Sequence, residues 1–492
     1  MALKLFFSFL TSAFLLTGCT VSKNYSPDKK FSKEQLQEDY TLLRNILEKK
    51  HPSLYWYTSK DSMDNYFQQG YQHIEDSMTE LQFAWKIIAP LTNKIRCGHT
   101  SFSMSNGWNK FIKNRKIPFF PLHLKIWADT MVVTANLNIK DSVIKKGYLI
   151  TAINGISNHH LLQKMFGYMA QDGYADNVNY IRLSNNFPYF HRNIFGLYKT
   201  YSIEYLDITG VEKKALIPMY DPSADTLEKH KRFLPGHVKK LSKRQRLEWI
   251  RSLQIDTAQS TAILKLNSFA KGNLPKFFRR TFKRLHEENI SNLIFDIRNN
   301  GGGDINNFVF LTRFISNSSF KVADTAASIA KNFRPYSRYI KAGFFDRLAL
   351  VFLTKKGNDK KYHFGFWENR NIKPKQHNHF NGNVYVLTNG LTFSASALFC
   401  NAVKGQSNVK LVGEETGGGW YGNSGIMIPD IILPSTKLKV RLPFFRLVQY
   451  HHIAKKGTGV LPDVLVGPTV KDVRDNIDRK TAVAKEMIRK NN

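Results

Sequence analysis

The pattern of apolar positions divides the chain into a helical first part, a β-rich middle and an α/β last part. In the first part, residues 32–35 (SKEQ) match a capping box, and apolar residues follow at spacings of three and four. This pattern predicts a helix over residues 33–49, ended by His51 and Pro52. Further helical periodicity over residues 59–91 predicts a small helical domain.

The middle part begins near Phe119, where the periodicity changes to that of β-strands. Apolar and polar residues alternate over 119–126, and a second strand is predicted over 131–135. A third precedes Asn154-Gly155, a dipeptide typical of tight hairpin turns. The segment resembles the core of a PDZ domain, a module whose exposed strand edge binds extended peptides.

The last part of the chain alternates strands with helices. Strands are predicted over residues 262–266, 292–298 and 383–389, a helix over 274–288, and the start of another at 392–399. We therefore expect an α/β core.

Composition and charge restrict the class of protein. The chain has 492 residues, of which 42% are hydrophobic, and no run of 18 apolar residues, which excludes a disordered chain and a multi-span membrane protein. Its 72 Lys and Arg against 38 Asp and Glu give a net charge of +34, which attracts polyanions. The most basic segment, 229–251, is interpreted as a solvated helical linker, with contact to a membrane surface as the alternative.

The N-terminus carries a targeting signal. Lys4 precedes an apolar run over residues 5–16, and the sequence LTGC ends at Cys19. This resembles a bacterial lipoprotein signal, which implies cleavage before Cys19 and lipidation of its thiol and amine. The alternative is an ordinary secretory signal with a chance cysteine. The remaining cysteines, Cys97 and Cys400, form no CxxC pair and are too few for a disulfide framework.

Three short motifs carry the candidate chemistry. Residues 296–303 (DIRNNGGG) follow a predicted buried strand, and three glycines there expose backbone N–H groups that suit an oxyanion. Ser394 opens a predicted helix, where free N–H groups and the helix dipole stabilise negative charge. A plain N-cap role is the alternative for this serine. The third motif, 413–419 (GEETGGG), ends in another glycine cluster.

In this order, the motifs resemble peptidase family S41, which includes tail-specific, C-terminal-processing and tricorn-core proteases, over about residues 260–467. The resemblance implies an α/β core of the S41 (ClpP/crotonase-like) type and a serine peptidase without a metal or organic cofactor. It also implies that Ser394 is the nucleophile. The implied oxyanion hole combines the N–H of Ala395 with that of Gly302 or Gly303.

The general base is where the sequence departs from part of the family. In the C-terminal-processing branch a lysine is the base, but Gly419 stands at the matching position here, and Lys404 and Lys410 look like surface residues. The tricorn-like branch uses a histidine in a Gly-His-Ser/Thr turn, which His99 matches within residues 97–101 (CGHTS). The ordinary pKa of histidine suits a base near neutral pH.

A histidine base needs a carboxylate that fixes its tautomer. The closing motif of the family is similar to residues 457–464, and it offers Asp463, while Glu414 and Glu415 are alternatives. His451 and His452 are reserve candidates for the base. The basic and aromatic segment 331–375 is expected to form a lid or substrate wall.

The sequence therefore predicts a membrane-anchored serine peptidase in a bacterial cell envelope, facing the periplasm or exterior. Its partners are a peptide or protein substrate and, through Cys19, membrane lipid; no specific nucleic acid is expected. The alternative is a catalytically inactive peptide-binding lipoprotein on the same fold. The expected divisions are a signal peptide (1–18), a tether (19–30), a helical domain (31–116), a PDZ-like domain (117–220), a basic linker (221–255), the S41 core (256–470) and a C-terminal helix (471–492).

Overall fold

The computed structural model describes residues 25–138, 141, 143–225, 241–450 and 454–491. The predicted capping box is present, since the Ser32 hydroxyl accepts from Gln35 N while the Gln35 side chain accepts from Ser32 N. The second helical stretch is interrupted rather than continuous. The N-terminal domain contains β1 (Lys30–Phe31), α1 (Lys33–Lys50), α2 (Lys60–Gln72), β2 (Met78–Thr79), α3 (Glu80–Phe83), a π-helical turn (Ala84–Ile88), α4 (Ala89–Lys94), β3 (Phe102–Ser103) and α5 (Asn106–Ile112).

The β-rich domain is an antiparallel sheet with two helices packed against it. The predicted hairpin at Asn154-Gly155 is confirmed, because both residues have positive φ and join two paired strands. Its elements are β4 (Leu122–Trp127), β5 (Thr130–Asn136), β6 (Leu149–Ile153), β7 (Ile156–Ser157), α6 (Asn158–Phe166), α7 (Asn177–Phe195), β8 (Thr200–Leu206) and β9 (Glu212–Pro218), in the sheet order β4-β5-β6-β8-β9 with β7 on β6.

The α/β core is built on a six-stranded sheet of order β10-β11-β12-β17-β18-β23, parallel except for the edge strand β10. Its first elements are α8 (Lys243–Ile250), β10 (Arg251–Asp256), β11 (Thr261–Leu266), α9 (Leu274–Glu287), β12 (Asn292–Asp296) and α10 (Ile305–Thr312). The last are β17 (Asn383–Thr388), α13 (Ala395–Val403), β18 (Val409–Gly413), β23 (Val464–Leu465), α14 (Val470–Asp475) and α15 (Arg479–Asn491).

Two smaller sheets are formed by segments inserted in the sequence between α10 and β17 and between β18 and β23, together with β3. They have the orders β15-β16-β13-β22-β19 and β14-β20-β21-β3. Their elements are β13 (Ala323–Ser328), β14 (Ile340–Lys341), α11 (Phe344–Phe352), β15 (Lys355–Lys356), β16 (Tyr362–His363), α12 (Gly365–Asn369), β19 (Gly422–Asn423), β20 (Asp430–Ile432), β21 (Lys439–Arg441) and β22 (Arg446–Gln449). Because β3 belongs to the N-terminal domain and pairs with β21, the segment just before it is held against the core.

Alternating side chains of the main sheet bury both of its faces. Leu293 and Phe295 pack with α9, α10 and α13, whereas Ile294 packs with α15 on the other face. Two boundaries differ from the prediction: β10 lies inside the expected linker, and the C-terminal segment forms two helices. Part of the basic linker, residues 226–240, lies outside the described residues. Among the helices of the described ranges, none combines the length and hydropathy needed to span a bilayer.

Candidate active site

Ser394 lies at the turn between β17 and α13. Its φ of 54° and ψ of −123° place a non-glycine residue in a strained region of backbone space, a feature that concentrates at functional sites. The side chain makes no capping hydrogen bond to α13. The plain N-cap interpretation therefore has no support, and the hydroxyl is available at the wall of a cavity of about 800 Å³.

The glycine cluster after β12 lies directly against this serine. A Cβ atom on Gly302 would lie 2.7 Å from Ser394 Cβ and 2.8 Å from the carbonyl oxygen of Phe393. The φ of Gly302 is also +97°, which side chains disfavour. Glycine is therefore required for the two backbones to approach this closely.

The N–H groups near Ser394 are not equivalent. The N–H of Gly302 donates to Asn300 Oδ1 at 3.0 Å. Within the described part of the chain, no hydrogen bond uses the N–H of Gly303 or of Ala395, the first residue of α13. The arrangement thus leaves Gly303 and Ala395 as the available donors and gives Gly302 a spacing role.

His99 reaches the same cavity from the N-terminal domain. Its ring is buried and packs against Phe393, the residue before Ser394, with ring centroids 4.9 Å apart. A Cβ on Gly98 would lie 2.6 Å from the Phe393 ring, so the turn that carries His99 needs this glycine. The structure therefore brings the two predicted residues to one cavity from segments 295 positions apart.

Asp172, which the sequence analysis missed, lies behind His99. Its Oδ1 is 3.9 Å from His99 Nδ1, an ion-pair distance rather than a hydrogen bond. The same Oδ1 accepts from Gly98 N at 2.7 Å, and Oδ2 accepts from Gly419 N at 3.4 Å. The buried carboxylate is thus held in place beside the imidazole.

The surroundings shift the protonation of His99. Burial lowers its pKa, but Asp172 and Cys97 raise it more strongly, so the pKa rises from the usual 6.5 to about 9. Burial raises the pKa of the Cys97 thiol, yet His51 and His99 together lower it to about 6. The imidazole therefore lies among groups that favour its charged form, as the imidazolium of a proton-transfer step requires.

Comparison with known proteins identifies the family of the α/β core. Residues 260–466 match the model of peptidase family S41. This segment is a domain of the S41 peptidase family. It is a serine-type peptidase, with the S41 core joined to a helical domain and a β-rich domain.

Two solved structures are similar over most of the length. Mature CPAF complexed with lactacystin has a TM-score of 0.63 at 12% identity, covering 93% of this chain and 98% of that chain. Mature CPAF has a TM-score of 0.62 at 12% identity, covering 93% and 96%. At this identity the similarity shows the fold. Among curated protein sequences, none matches the chain.

The expected partner of the histidine in this S41 peptidase needs correction. Asp463 is not brought to His99, because its carboxylate pairs with Lys404 Nζ and accepts from Leu411 N at 2.8 Å. These contacts tie Asp463 to the end of α13 and to strand β18, which makes Asp463 structural. The two alternative carboxylates are also engaged elsewhere. Glu414 forms an ion pair with Lys480, and Glu415 accepts a hydrogen bond from Gly459 N.

The lysine alternatives are not placed as bases. Lys404 is engaged by Asp463 and lies over the Trp420 ring, while Lys410 is exposed on β18. At Gly419, a Cβ would lie 2.5 Å from Gly422 O, so this position does not accept a side chain without movement. The reserve histidines, 451 and 452, lie outside the described residues.

Other groups complete the cavity. Trp367, from the expected lid over residues 331–375, lines the cavity. The cationic side chains of Arg182 and Arg441, from other segments, also line it. In the described ranges, Cys97, His99 and Asp172 are the one group whose ligand atoms, all within 4.8 Å of one another, could hold a metal ion. A metal there would compete for the imidazole nitrogen that faces Asp172.

Proposed function

We propose that this S41 peptidase hydrolyses peptide bonds with Ser394 as nucleophile and His99 as general base. Asp172 orients the imidazole and stabilises its charged form. Two backbone N–H groups, of Gly303 and Ala395, stabilise the oxyanion. The observation that carries the proposal is the meeting of three separate segments at one cavity, with the His99 ring packed on the residue next to Ser394.

In the reaction, Ser394 Oγ attacks the carbonyl carbon of the scissile bond while His99 takes the hydroxyl proton. Negative charge develops on the substrate oxygen, which the N–H groups of Gly303 and Ala395 receive. The imidazolium then gives its proton to the leaving amine. Water, activated by the same histidine, releases the acyl group and restores the enzyme. Asp172 favours the imidazolium in both halves of the cycle.

The cavity also favours a class of substrate. Arg182 and Arg441 line it, whereas Asp304 is the one acid among its lining residues in the described ranges. Arg182 donates to the Ala170 carbonyl and, within the described ranges, forms no ion pair, although the charge of Asp172 acts on it. Peptides with acidic side chains or a free C-terminal carboxylate near the cleaved bond therefore suit this cavity.

We also place the peptidase at a membrane of the cell envelope, attached through lipid on Cys19. The support is the sequence of residues 1–19, with its basic start, apolar run and small residues before the cysteine.

A fluorophosphonate probe tests the catalytic proposal, because it labels only an activated serine. We expect labelling of the parent protein and its loss in Ser394→Ala. Ser396→Ala is the matched control, since this buried serine lies two residues away in the same helix. A parent protein that is folded but neither labels nor cleaves peptides would instead support the inactive peptide-binding alternative.

A further inference from the structure

The helix α11 exposes an unusually apolar face. Phe344, Phe345 and Phe352 are 69%, 82% and 75% exposed, and Leu348 and Val351 are also exposed. Positions 344, 348 and 352 are four residues apart, so they lie along one side of the helix. Apolar side chains of this size, grouped on one exposed face, indicate an interaction surface.

The opposite face fixes the helix to the protein. Leu350 is buried in the core cluster of the N-terminal domain, and the Arg347 guanidinium lies over the Phe333 ring at 5.2 Å. Arg347 also donates to the Ile340 carbonyl at 3.1 Å. Because these contacts hold one side, the apolar face points outward as a preformed surface rather than as an unpacked segment.

Basic residues flank α11 on both sides in the sequence. Residues 331–361 contain nine Lys and Arg but two acids. Both acids are engaged locally: Asp346 accepts from Gly343 N at the start of the helix, and Asp359 pairs with Lys361. The exposed cations include Arg338, Lys341, Lys355, Lys356 and Lys360.

We infer that α11 is an interfacial membrane helix, which inserts its phenylalanine face among the headgroups of an anionic bilayer while the surrounding Lys and Arg bind the lipid phosphates. Apolar burial combined with cationic contacts is the mode by which such helices bind. Basic charge argues against a second copy of this chain as the occupant, because a two-fold contact through this face would bring the two basic rims together.

The inference does not depend on peptidase activity or on lipid at Cys19. Trp367 lines the cavity, whereas none of the α11 residues does. Membrane contact through α11 would therefore involve none of the residues that line the cavity.

Vesicle flotation tests the inference. The protein is the chain from residue 19 with Cys19→Ser, which carries no lipid and retains every described residue. We expect it to float with phosphatidylcholine vesicles that contain phosphatidylglycerol, and to be released as salt rises. Serine at 344, 345 and 352 together (F344S/F345S/F352S) should lower the partition by about 100-fold or more, because three large apolar side chains no longer enter the bilayer.

The matched control places serine at three similarly exposed apolar positions elsewhere, Ile208, Leu216 and Leu465. Its partition should change by less than about twofold, since these side chains are outside the α11 face. Equal binding by the phenylalanine variant and the parent would overturn the inference. The inference would also be overturned if the parent protein did not bind anionic vesicles but formed a dimer, measured by light scattering, and the phenylalanine variant were a monomer.

Discussion

The carboxylate of Asp172 offers the sharpest test of the active site. Replacing it by asparagine keeps the side-chain shape and the acceptor oxygen for Gly98 N, but removes the charge 3.9 Å from His99. Because this charge raises the pKa of His99, we expect the pKa to fall in Asp172→Asn. Asparagine also gives the imidazolium no opposite charge during proton transfer.

The magnitude follows from the pKa of about 9. A base acts only when it is neutral, so the reaction rate should rise with pH through about 9, and at pH 7 roughly one His99 in 100 is neutral. The ordinary pKa of histidine, without these neighbours, would place the rise near about 6 to 7. In Asp172→Asn the midpoint should fall by about one unit or more, while the plateau falls by about 10²-fold to 10⁴-fold.

The assay is the rate of fluorophosphonate labelling of Ser394 across pH, which needs no knowledge of the natural substrate. Asp463→Asn is the control, because its carboxylate pairs with Lys404 instead of His99. It should keep the midpoint and the plateau, although thermal stability should decrease slightly as the partly exposed ion pair with Lys404 is lost. The reasoning fails if Asp172→Asn keeps the parent profile, or if Asp463→Asn shifts the midpoint.

Three further predictions test other parts of the site. Gly302→Val should lower turnover by about 10²-fold or more in folded protein, because its side chain would displace Ser394; unchanged turnover would exclude Gly302 from the site. His99→Ala should reduce labelling about as severely as Ser394→Ala, with little effect of Lys410→Ala, since one catalytic unit is lost in either case; near-normal labelling would remove His99 as the base. Cys19→Ser combined with F344S/F345S/F352S should release the protein from membranes, because both proposed membrane contacts are lost, whereas either change alone should release less of it; retention of the combined variant would contradict the two proposed contacts.

The sequence predicts the parts of the site that depend on local structure. A strand ending in several glycines and a serine opening a helix are recognisable because each motif needs only its own neighbours. The His99 turn is recognisable in the same way, and α1 and the Asn154-Gly155 hairpin follow from capping and turn preferences. For these elements, local chemistry and tertiary structure agree.

Asp172 had no such signal. It lies in the loop between α6 and α7, where an aspartate followed by Gly173 reads as an ordinary turn. Only the packing of the β-rich domain on the N-terminal domain, through contacts such as Gly173 N to Arg96 O at 2.9 Å, brings it behind His99. Asp463 is the converse case, because its place in a sequence motif does not determine which side chain its carboxylate contacts.

The missing lysine and the unexpected aspartate belong to one arrangement. Gly419 stands where the C-terminal-processing branch of the family has its lysine, and Gly419 N donates to Asp172 Oδ2. A Cβ built on Gly419 would be 3.8 Å from Asp172 Cβ, so a longer side chain would start in the space beside that carboxylate. A lysine there would also have to displace the Gly422 carbonyl, 2.5 Å from the same Cβ, and would bring a cation near the carboxylate beside His99. Glycine at position 419 therefore leaves Asp172 beside His99, as the proposed histidine base requires.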